Sequence, residues 1–524
     1  MRRARVHRPI RLAAAGGATW LLLAGCGFDL DLGGRGYTVC DPAWGCAAPC
    51  SCSAAVGVCL PPPGGDRRAC QALGPVSADL PGDLPGLPWG DPASTLDLRV
   101  TTPEDEDGIT AERDLASMRL EAEGGAGLSL REALRLARGT GLPVRIRFLA
   151  GAFGAARPIR LGSGLPPLSG VAVLLDGRGA EVILEPAAGM PAAAPGLSIT
   201  GQVVAVVALT LRDFGAAGVM VSGARAVLLA GLVAQGNTTG VIVTDGSQAV
   251  TLGDGSELLD GQGLGGCVLQ ANVAGLRVVG TVQAPVTDVS VYASELAANQ
   301  DSGASLSGAL ERVTIGPPPG RDELGLAGNR IVWNQAVSQG AGVHLQGVRG
   351  EVLVRGNLFL DNPIDVRADS SAGDLWMLHN SSLATQVALL KVYGSQGGGV
   401  EVLRVRMFNH ASSGTPSEHV YCDLRDPGQL DLQAGELLTD QPELLCVCEP
   451  ACGQWLAGAP VLYLGVNPAL VECDGWYCLT DSSPGQDGGS EQTAWDGLGL
   501  DLNGPAAGAF CGEAPDIGAN EQCE

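Results

Sequence analysis

A repeat with a period in the twenties, within a tract of short aliphatic strands, most constrains how this chain folds. The segment Gly328-Asn329-Arg330-Ile331-Val332-Trp333-Asn334 matches Gly356-Asn357-Leu358-Phe359-Leu360-Asp361-Asn362 at a shift of 28 in the numbering. The segment Met377-Leu378-His379-Asn380 matches Arg406-Met407-Phe408-Asn409 in its spacing to asparagine, at a shift of 29 in the numbering. Periods in the twenties in a strand-rich tract predict a solenoid with one coil per repeat.

The strands between residues 146 and 410 are short, aliphatic and separated by Gly, Asn and Asp. Examples are residues 171–175, 226–229, 240–243, 351–355 and 387–390. No helical periodicity lies between them, which excludes a doubly wound α/β fold. We predict an all-β, right-handed parallel β-helix of about ten coils, whose repeated Asn residues form tight corners and hydrogen-bond from coil to coil. A β-sandwich is the alternative, but it would require hairpin turns and no such repeat.

One short amphipathic helix precedes the strand tract. Ser129 and Glu132 have the spacing of a capping box, and Gly139 is placed to end the helix. The apolar positions recur every three or four residues, at Leu130, Ala133, Leu134 and Ala137. Because the open end of a solenoid exposes strand edges, we predict that this helix caps the first coil.

The N-terminus has the order of an export signal. A head with five arginines is followed by an apolar stretch, Leu12 to Leu22, that is too short to span a membrane. Leu23-Ala24-Gly25-Cys26 resembles the lipobox of bacterial lipoproteins, which implies cleavage before Cys26 and acylation of its side chain and new N-terminus. By the same resemblance Gly27 favours the outer membrane of the bacterial cell envelope, with the protein facing the periplasm or the outside. An ordinary signal peptide with a chance cysteine is the alternative.

Cysteines cluster at both ends of the exported chain. Such clusters predict disulfides, because an exported protein folds in an oxidising compartment. Cys267 stands alone in the strand tract, where we expect a buried layer residue. The disulfide candidates are Cys40, Cys46, Cys50, Cys52, Cys59, Cys70, Cys422, Cys446, Cys448, Cys452, Cys473, Cys478, Cys511 and Cys523. Disulfides between the first six would stabilise an N-terminal stalk. The alternative for this segment is a binding module similar to epidermal growth factor.

The predicted organisation has six segments. They are a lipoprotein signal peptide at 1–25, a Cys-rich stalk at 26–72, a Pro/Gly linker at 73–94, an N-terminal strand and capping helix at 95–145, the parallel β-helix at 146–420 and a Cys-rich closing region at 421–524.

Two motifs resemble a known group of exported bacterial proteins. Leu128-Ser129-Leu130-Arg131-Glu132-Ala133-Leu134 is similar to the CSLREA motif of β-helix proteins, with Leu128 where the family has Cys. Asp516-Ile517-Gly518-Ala519-Asn520-Glu521 is similar to the closing pattern of choice-of-anchor Q proteins. The resemblance implies a pectin lyase-like fold, whose members include polysaccharide lyases, hydrolases, esterases and adhesins. The fold therefore does not fix an activity.

Candidate chemistry is confined to one polar run and its neighbours. Asp361, Asp365, Arg367 and Asp369 are weak catalytic candidates, since a lyase or hydrolase on this fold needs carboxylates with a base or a metal. Stacked on one outer face with Arg355, His344 and His379, they would bind calcium and an acidic sugar. Ion pairs on a solvated face are the alternative. No metal site is predicted from ligand spacing, and no cofactor is required.

Composition and aromatic residues complete the functional prediction. The net charge of −24 excludes nucleic acid as a partner. Trp333 and Trp376 lie in adjacent repeats and would form a small sugar-binding platform, with His344 and His379 as further ligand-binding candidates. We predict a lipid-anchored protein of the cell envelope that binds a polysaccharide or a surface protein without catalysis. The alternatives are a carbohydrate-active enzyme, calcium-dependent lyase or hydrolase, and a purely structural or adhesive component.

Overall fold

The structure is a computed structural model. It describes residues 95–105, 128–139, 142–150, 152–153, 157–170, 172–253, 266–317, 328–335, 341–394, 402–408, 410–413, 418–424 and 429–434, with short strands at 29–30, 37–38, 51–53, 58–60, 437–439, 446–447, 462–464, 470–473 and 476–479.

The chain folds into a right-handed parallel β-helix with three sheet faces. We name them faces A, B and C, and each coil runs from B to C to A. All strand pairs that the structure describes between Leu96 and Leu464 are parallel, so the alternative β-sandwich is wrong. Face A is a twelve-stranded sheet, compared with about ten predicted coils.

The strand bounds follow the three faces. Face A comprises Ile159–Leu161, Ile183–Pro186, Thr210–Arg212, Val233–Gln235, Val268–Gln270, Glu295–Ala297, Arg330–Val332, Leu358–Leu360, Ser381–Leu383, His410–Ser413, Leu437–Thr439 and Leu462–Leu464. Face B comprises Leu197–Ile199, Ala217–Ser222, Thr239–Thr244, Ala274–Gly280, Ile364–Asp369, Ala388–Tyr393, Glu418–Asp423 and Cys446–Val447. Face C comprises Leu96–Val100, Val144–Phe148, Val173–Asp176, Val204–Val207, Arg225–Ala230, Gln248–Leu252, Val286–Val291, Ala372–Leu378, Leu403–Phe408 and Leu430–Ala434. Ser302–Ile315 and Val343–Arg355 each continue from face B into face C.

Three short antiparallel pairs lie outside the solenoid sheets. They are Asp29–Leu30 with Tyr37–Thr38, Ser51–Ser53 with Val58–Leu60, and Leu470–Cys473 with Trp476–Leu479.

The predicted capping helix, α1, spans Leu130–Gly139. The capping box is confirmed, because the Ser129 backbone N–H donates to Glu132 Oε2 at 2.9 Å and the Glu132 N–H donates to Ser129 Oγ at 3.2 Å. The predicted apolar face of α1 is buried in the same core cluster as the first strands. Arg131 is also buried and ties α1 to its surroundings through a bidentate pair with Asp105, at 2.7 and 2.9 Å.

Asparagines hold the corner between faces A and B, as predicted. At each step the backbone N–H and the side-chain amide of one Asn donate to Oδ1 of the next, at 2.9–3.2 Å. The residue before each ladder position has a positive φ, which Gly and Asn adopt readily and bulky side chains do not. This ladder consists of Asn237, Asn272, Asn299, Asn334 and Asn362.

A second ladder holds the corner between faces C and A. It contains Asn329, Asn357 and Asn380, and the preceding coils place Cys267 and Ser294 at equivalent positions. Cys267 is fully buried, as predicted, and its thiol donates to the Leu229 carbonyl at 3.1 Å. Burial raises the pKa of this thiol to about 11.

The sequence repeat agrees with the register in one case and disagrees in the other. Ile331 pairs with Phe359, which confirms the predicted shift of 28. Met377 pairs with Met407, so the second shift is 30 and the predicted shift of 29 is wrong. His410, not Asn409, therefore occupies the position after Asn380 at this corner.

Candidate functional site

Polar and aromatic side chains form two neighbouring columns on the outside of face B. Strand register aligns His344, Arg367, Lys391 and Tyr421 in one column. Two residues further along each strand, Gln346, Asp369, Tyr393 and Asp423 form the second. Successive members of a column are about 4.8 Å apart, the spacing of neighbouring strands. We call His344, Arg367, Asp369, Lys391, Tyr393 and Tyr421 the face-B patch; His344 and Arg367 are buried, and the other four are half-buried.

Asp369 is the acidic centre of the face-B patch. Its Oδ2 lies 3.0 Å from His344 Nε2, and Arg367 Nε donates to both of its oxygens at 2.9 Å. Burial acts to raise the pKa of Asp369, but the hydrogen bonds from His344 and Arg367 outweigh it and hold the pKa below its usual value. Asp369 is therefore a fixed anion that orients its two partners.

Two cations and two tyrosine rings form the other half of the patch. The Arg367 guanidinium lies 4.7 Å from the Tyr393 ring centroid. Lys391 Nζ lies 4.5 Å from the Tyr421 centroid and 5.5 Å from that of Tyr393. The two rings are 6.2 Å apart and tilted by 59°. Lys391 is the single lysine of the chain, so this acidic protein places its one lysine ammonium group here.

The charges of the patch are not balanced within the described part of the chain. Arg367 and Lys391 face each other on neighbouring strands, an arrangement of like charges that destabilises a sheet. Asp369 pairs with Arg367, whereas no carboxylate of the described residues forms an ion pair with Lys391. Cation–π contacts contribute about 0.5–1 kcal/mol at exposed positions and about 2 kcal/mol when desolvated; here Arg367 is buried and Lys391 is half-buried. Lys391 is therefore a cation without an ion-pair partner among the described residues, although Asp423 lies in the neighbouring column.

Trp333 and Asp361 form a separate feature at the corner between faces A and B. The indole Nε1 donates to Asp361 Oδ2 at 2.7 Å, and Trp333 is 54% exposed. Both residues have a φ of +53°. Trp376, in contrast, lies on the outer side of face C, so the structure does not bring the two predicted platform tryptophans together.

Asp365 lies inside the solenoid and not on the outer face. It occupies the position that Gly342 has in the preceding coil, where a Cβ would contact the Phe359 ring. Thr385 replaces the ladder Asn beside it, and its hydroxyl donates to Asp365 Oδ2 at 2.8 Å. Full burial raises the pKa of Asp365 to about 7. The predicted stacking of Asp365 with Arg367 and Asp369 on one face is therefore wrong.

Buried polar groups continue toward the C-terminal coils. Ser382 Oγ lies 3.0 Å from His410 Nε2, and both residues are buried. Burial, together with the neighbouring His419, lowers the pKa of His410 to about 3. These groups lack access to solvent, so they are not a surface site.

The remaining candidates lie away from face B. Arg355 ends a face-C strand and is buried. His379 precedes Asn380 at the corner between faces C and A, with a φ of +51°. Of the predicted run, the structure brings together only His344, Arg367 and Asp369.

Several predictions fall on residues whose side chains the structure does not describe. Cys26 and the signal peptide lie outside the described residues, as do the side chains of every disulfide candidate except Cys422. Cys422 is disulfide-bonded. Within the described ranges no group of three or more His, Cys, Asp or Glu side chains is placed to hold a metal ion, and calcium stays a prediction. The described part of the chain contains no helix long and apolar enough to cross a bilayer.

Sequence reasoning missed Lys391, Tyr393 and Tyr421. The signal was an alternation of apolar and polar positions at the same place in four successive coils. It is found in Val343-His344-Leu345-Gln346, Val366-Arg367-Ala368-Asp369, Leu390-Lys391-Val392-Tyr393 and Val420-Tyr421-Cys422-Asp423. These coils differ in length, which hid the alignment from a search at a fixed period.

Comparisons with known proteins gave structural similarity alone. No family model matches the chain, and no curated protein matches it. A crystal structure of pectate lyase Pel9A is 12% identical, covers 82% of this chain and 97% of its own, and superposes with a TM-score of 0.48. An alginate lyase from Paenibacillus sp. is 10% identical over 57% of this chain and 96% of its own, with a TM-score of 0.37. The A-module of a mannuronan C-5 epimerase from Azotobacter vinelandii is 13% identical over 56% of this chain and 90% of its own, with a TM-score of 0.33. Each TM-score is under 0.5, so these similarities do not bear on the activity of this chain.

Proposed function

We propose that this protein is a non-catalytic binding protein of the bacterial cell envelope that holds an anionic glycan on face B. The observation that carries the proposal is Lys391, an ammonium group without an acidic partner among the described residues, placed between Tyr393 and Tyr421 beside Arg367. The net charge of −24 repels a polyanion at long range, but physiological salt screens this repulsion beyond about 8 Å. At contact distance, a carboxylate or sulfate group of a polysaccharide would neutralise Lys391 through a charge-assisted hydrogen bond, which is a strong one.

Anchoring through acylated Cys26 in the outer membrane is part of the proposal. Several acyl chains on one residue give firm membrane attachment, whereas a single chain binds only marginally. Radiolabelled palmitate should be incorporated into the full chain and not into Cys26→Ser. Equal labelling of the two proteins would exclude Cys26 as the acylated residue.

The placement of the acidic candidates supports binding over catalysis. A glycoside hydrolase needs two carboxyl groups about 5 to 9.5 Å apart across one bond, both open to substrate. Asp365 is buried inside the solenoid, and Asp369 is bound by His344 and Arg367. Asp361 accepts from the Trp333 indole at the corner. These three residues therefore do not form such a pair on one face.

Matched polymers test the proposal. The detergent-solubilised full chain should bind polygalacturonate more tightly than its methyl ester, and dextran sulfate more tightly than dextran. We expect Lys391→Gln to weaken binding of the charged polymers by about tenfold, the loss of one charge-assisted contact. Arg225→Gln, which removes an exposed cation from face C, is the control and should bind as wild type does. Equal binding of charged and uncharged polymers would contradict the proposal.

The single lysine gives a direct reading of the site. An amine-reactive reagent modifies Lys391 and otherwise only the chain terminus, so bound polymer should slow acylation at Lys391. The same incubations, read for unsaturated products and new reducing ends, address the enzyme alternative. Product formation from any polymer would replace the binding proposal with a lyase or hydrolase.

A further inference from the structure

Trp333 occupies a backbone position where a tryptophan is unfavourable. The residue after seven of the face-A strands turns the chain toward face B with a φ between +52° and +68°. Six of the seven described coils that share this turn use a small or short polar residue, and Trp333 is the exception with a φ of +53°. A bulky side chain in the left-handed region is strained, and such residues cluster at active sites and ligand-binding sites; Arg312 and His379 also adopt this conformation, outside this column. The column is Asp213, Gly236, Ala271, Ala298, Trp333, Asp361 and Ala384.

Folding does not account for this tryptophan. With 54% of its surface exposed, the ring contributes little to the solenoid core. Its indole N–H is instead fixed by Asp361 Oδ2 at 2.7 Å, so the ring is held in one orientation by the next coil. The corner beneath it is held by Asn334, whose ladder bonds do not involve the indole. An oriented and exposed ring on a rigid corner is prepared for a ligand.

We propose that Trp333 and Asp361 form a sugar-stacking site for one pyranose ring of a glycan held on face B. This inference rests on the proposed glycan-binding function and extends it to a second contact. The apolar C–H face of a pyranose would lie on the indole, as flat rings do on exposed aromatic platforms. An ionised carboxylate has about four acceptor sites, and the indole uses one, so Asp361 can also accept from sugar hydroxyls.

The position of the pair fits one polymer that also reaches the face-B patch. Trp333 precedes His344 in its coil, and Asp361 precedes Arg367 by six residues in the next. At 3.3 Å per residue the corner lies about 20 Å or less from the cations. The pair thus contacts a polymer segment separate from the one neutralised by Lys391.

The surroundings favour a sugar over a protein partner. Ala298 and Ala384 flank the pair in the same column, and Gln335 beside Trp333 is exposed. The centre of a protein interface is depleted of charged residues, whereas the carboxylate of Asp361 lies directly beside the exposed ring. A single ring next to a carboxylate suits a ligand with one apolar face and many hydroxyls.

The test combines stability with binding. Trp333→Gly should relieve backbone strain and raise the melting temperature by about 2 °C. The same variant should bind polygalacturonate and the neutral oligosaccharide cellohexaose about tenfold more weakly than wild type. Ala298→Gly, at the same turn one coil earlier, should raise stability without changing binding. Trp333→Phe, which keeps a ring and loses the N–H donor, should retain part of the affinity.

The outcomes separate this inference from the proposed function. A lower melting temperature for Trp333→Gly would make Trp333 a structural residue and overturn the inference. Unchanged binding by that variant, with binding lost in Lys391→Gln, would overturn the stacking site and leave the proposed function intact. Absence of binding to polygalacturonate, dextran sulfate and cellohexaose in the folded wild-type chain would contradict both.

Discussion

Replacing Asn299 with alanine should cost about 4 kcal/mol of stability, because this residue stands in the middle of the first ladder. Its Oδ1 accepts from the backbone N–H and the side-chain amide of Asn272, at 3.1 and 3.2 Å. Its own amide donates to the Leu269 carbonyl at 3.0 Å and to Asn334 Oδ1 at 2.9 Å. Four buried hydrogen bonds at about 1 kcal/mol each give the estimate, and partners left unsatisfied would raise it.

The end of the same ladder provides the matched control. Asn237 makes three side-chain hydrogen bonds, with the Phe214 N–H, the Leu211 carbonyl and Asn272 Oδ1, so Asn237→Ala should cost about 3 kcal/mol. Urea unfolding of the full chain, followed by far-ultraviolet circular dichroism, compares the midpoints of the two variants. A cost below about 1 kcal/mol for Asn299→Ala would refute the view that the ladder stabilises the corner.

Three further predictions follow from buried residues. Asp365 holds its proton up to about pH 7 in the folded chain, against a pKa of 3.8 for an ordinary aspartate, so its contribution to stability is full below pH 3.8 and lost as the pH rises through 7. Asp365→Asn should therefore gain stability relative to wild type between pH 4 and pH 8 in urea titrations, and a constant difference would contradict the assigned burial. Phe359→Ala, at a fully buried core position, should lower the free energy of unfolding by about 3–5 kcal/mol, and a cost near zero would place the ring outside the core. Cys267 should react with a thiol reagent only as fast as the chain unfolds, and rapid labelling of the native protein would show that it is not buried.

The architecture was largely predictable because the signals for it are local. The match between Ile331 and Phe359 gave the correct register, and the capping box at Ser129 gave the helix start. The second repeat failed because the match aligned Asn380 with Asn409, whereas the chain places His410 there. His410 makes one hydrogen bond at this ladder position, with Ser382. Because the residue at this position is not an asparagine, a comparison of repeated asparagines aligns Asn380 with the wrong residue.

The candidate site was less predictable because two of its features depend on the folded chain. These are the inward orientation of Asp365 and the alignment of Lys391 with Arg367. Strict alternation along a strand places Asp365, Arg367 and Asp369 on one face. In this chain only Arg367 and Asp369 lie on the outer face. Asp365 instead turns inward, where the hydroxyl of Thr385, at the position that an asparagine has in the preceding coils, donates to its Oδ2. Lys391 joins Arg367 only through strand register, which unequal coil lengths conceal.

The parallel stacking of coils also determines how this protein would respond to force. Backbone hydrogen bonds between coils run along the solenoid axis, and each coil contacts only its neighbours. A pull along the axis would therefore peel coils from one end in sequence instead of breaking the whole fold at once. Successive ladder asparagines are 35, 27, 35 and 28 residues apart. Each released coil would add about 90 to 120 Å of chain, so the solenoid would lengthen in steps while its remaining coils stay folded.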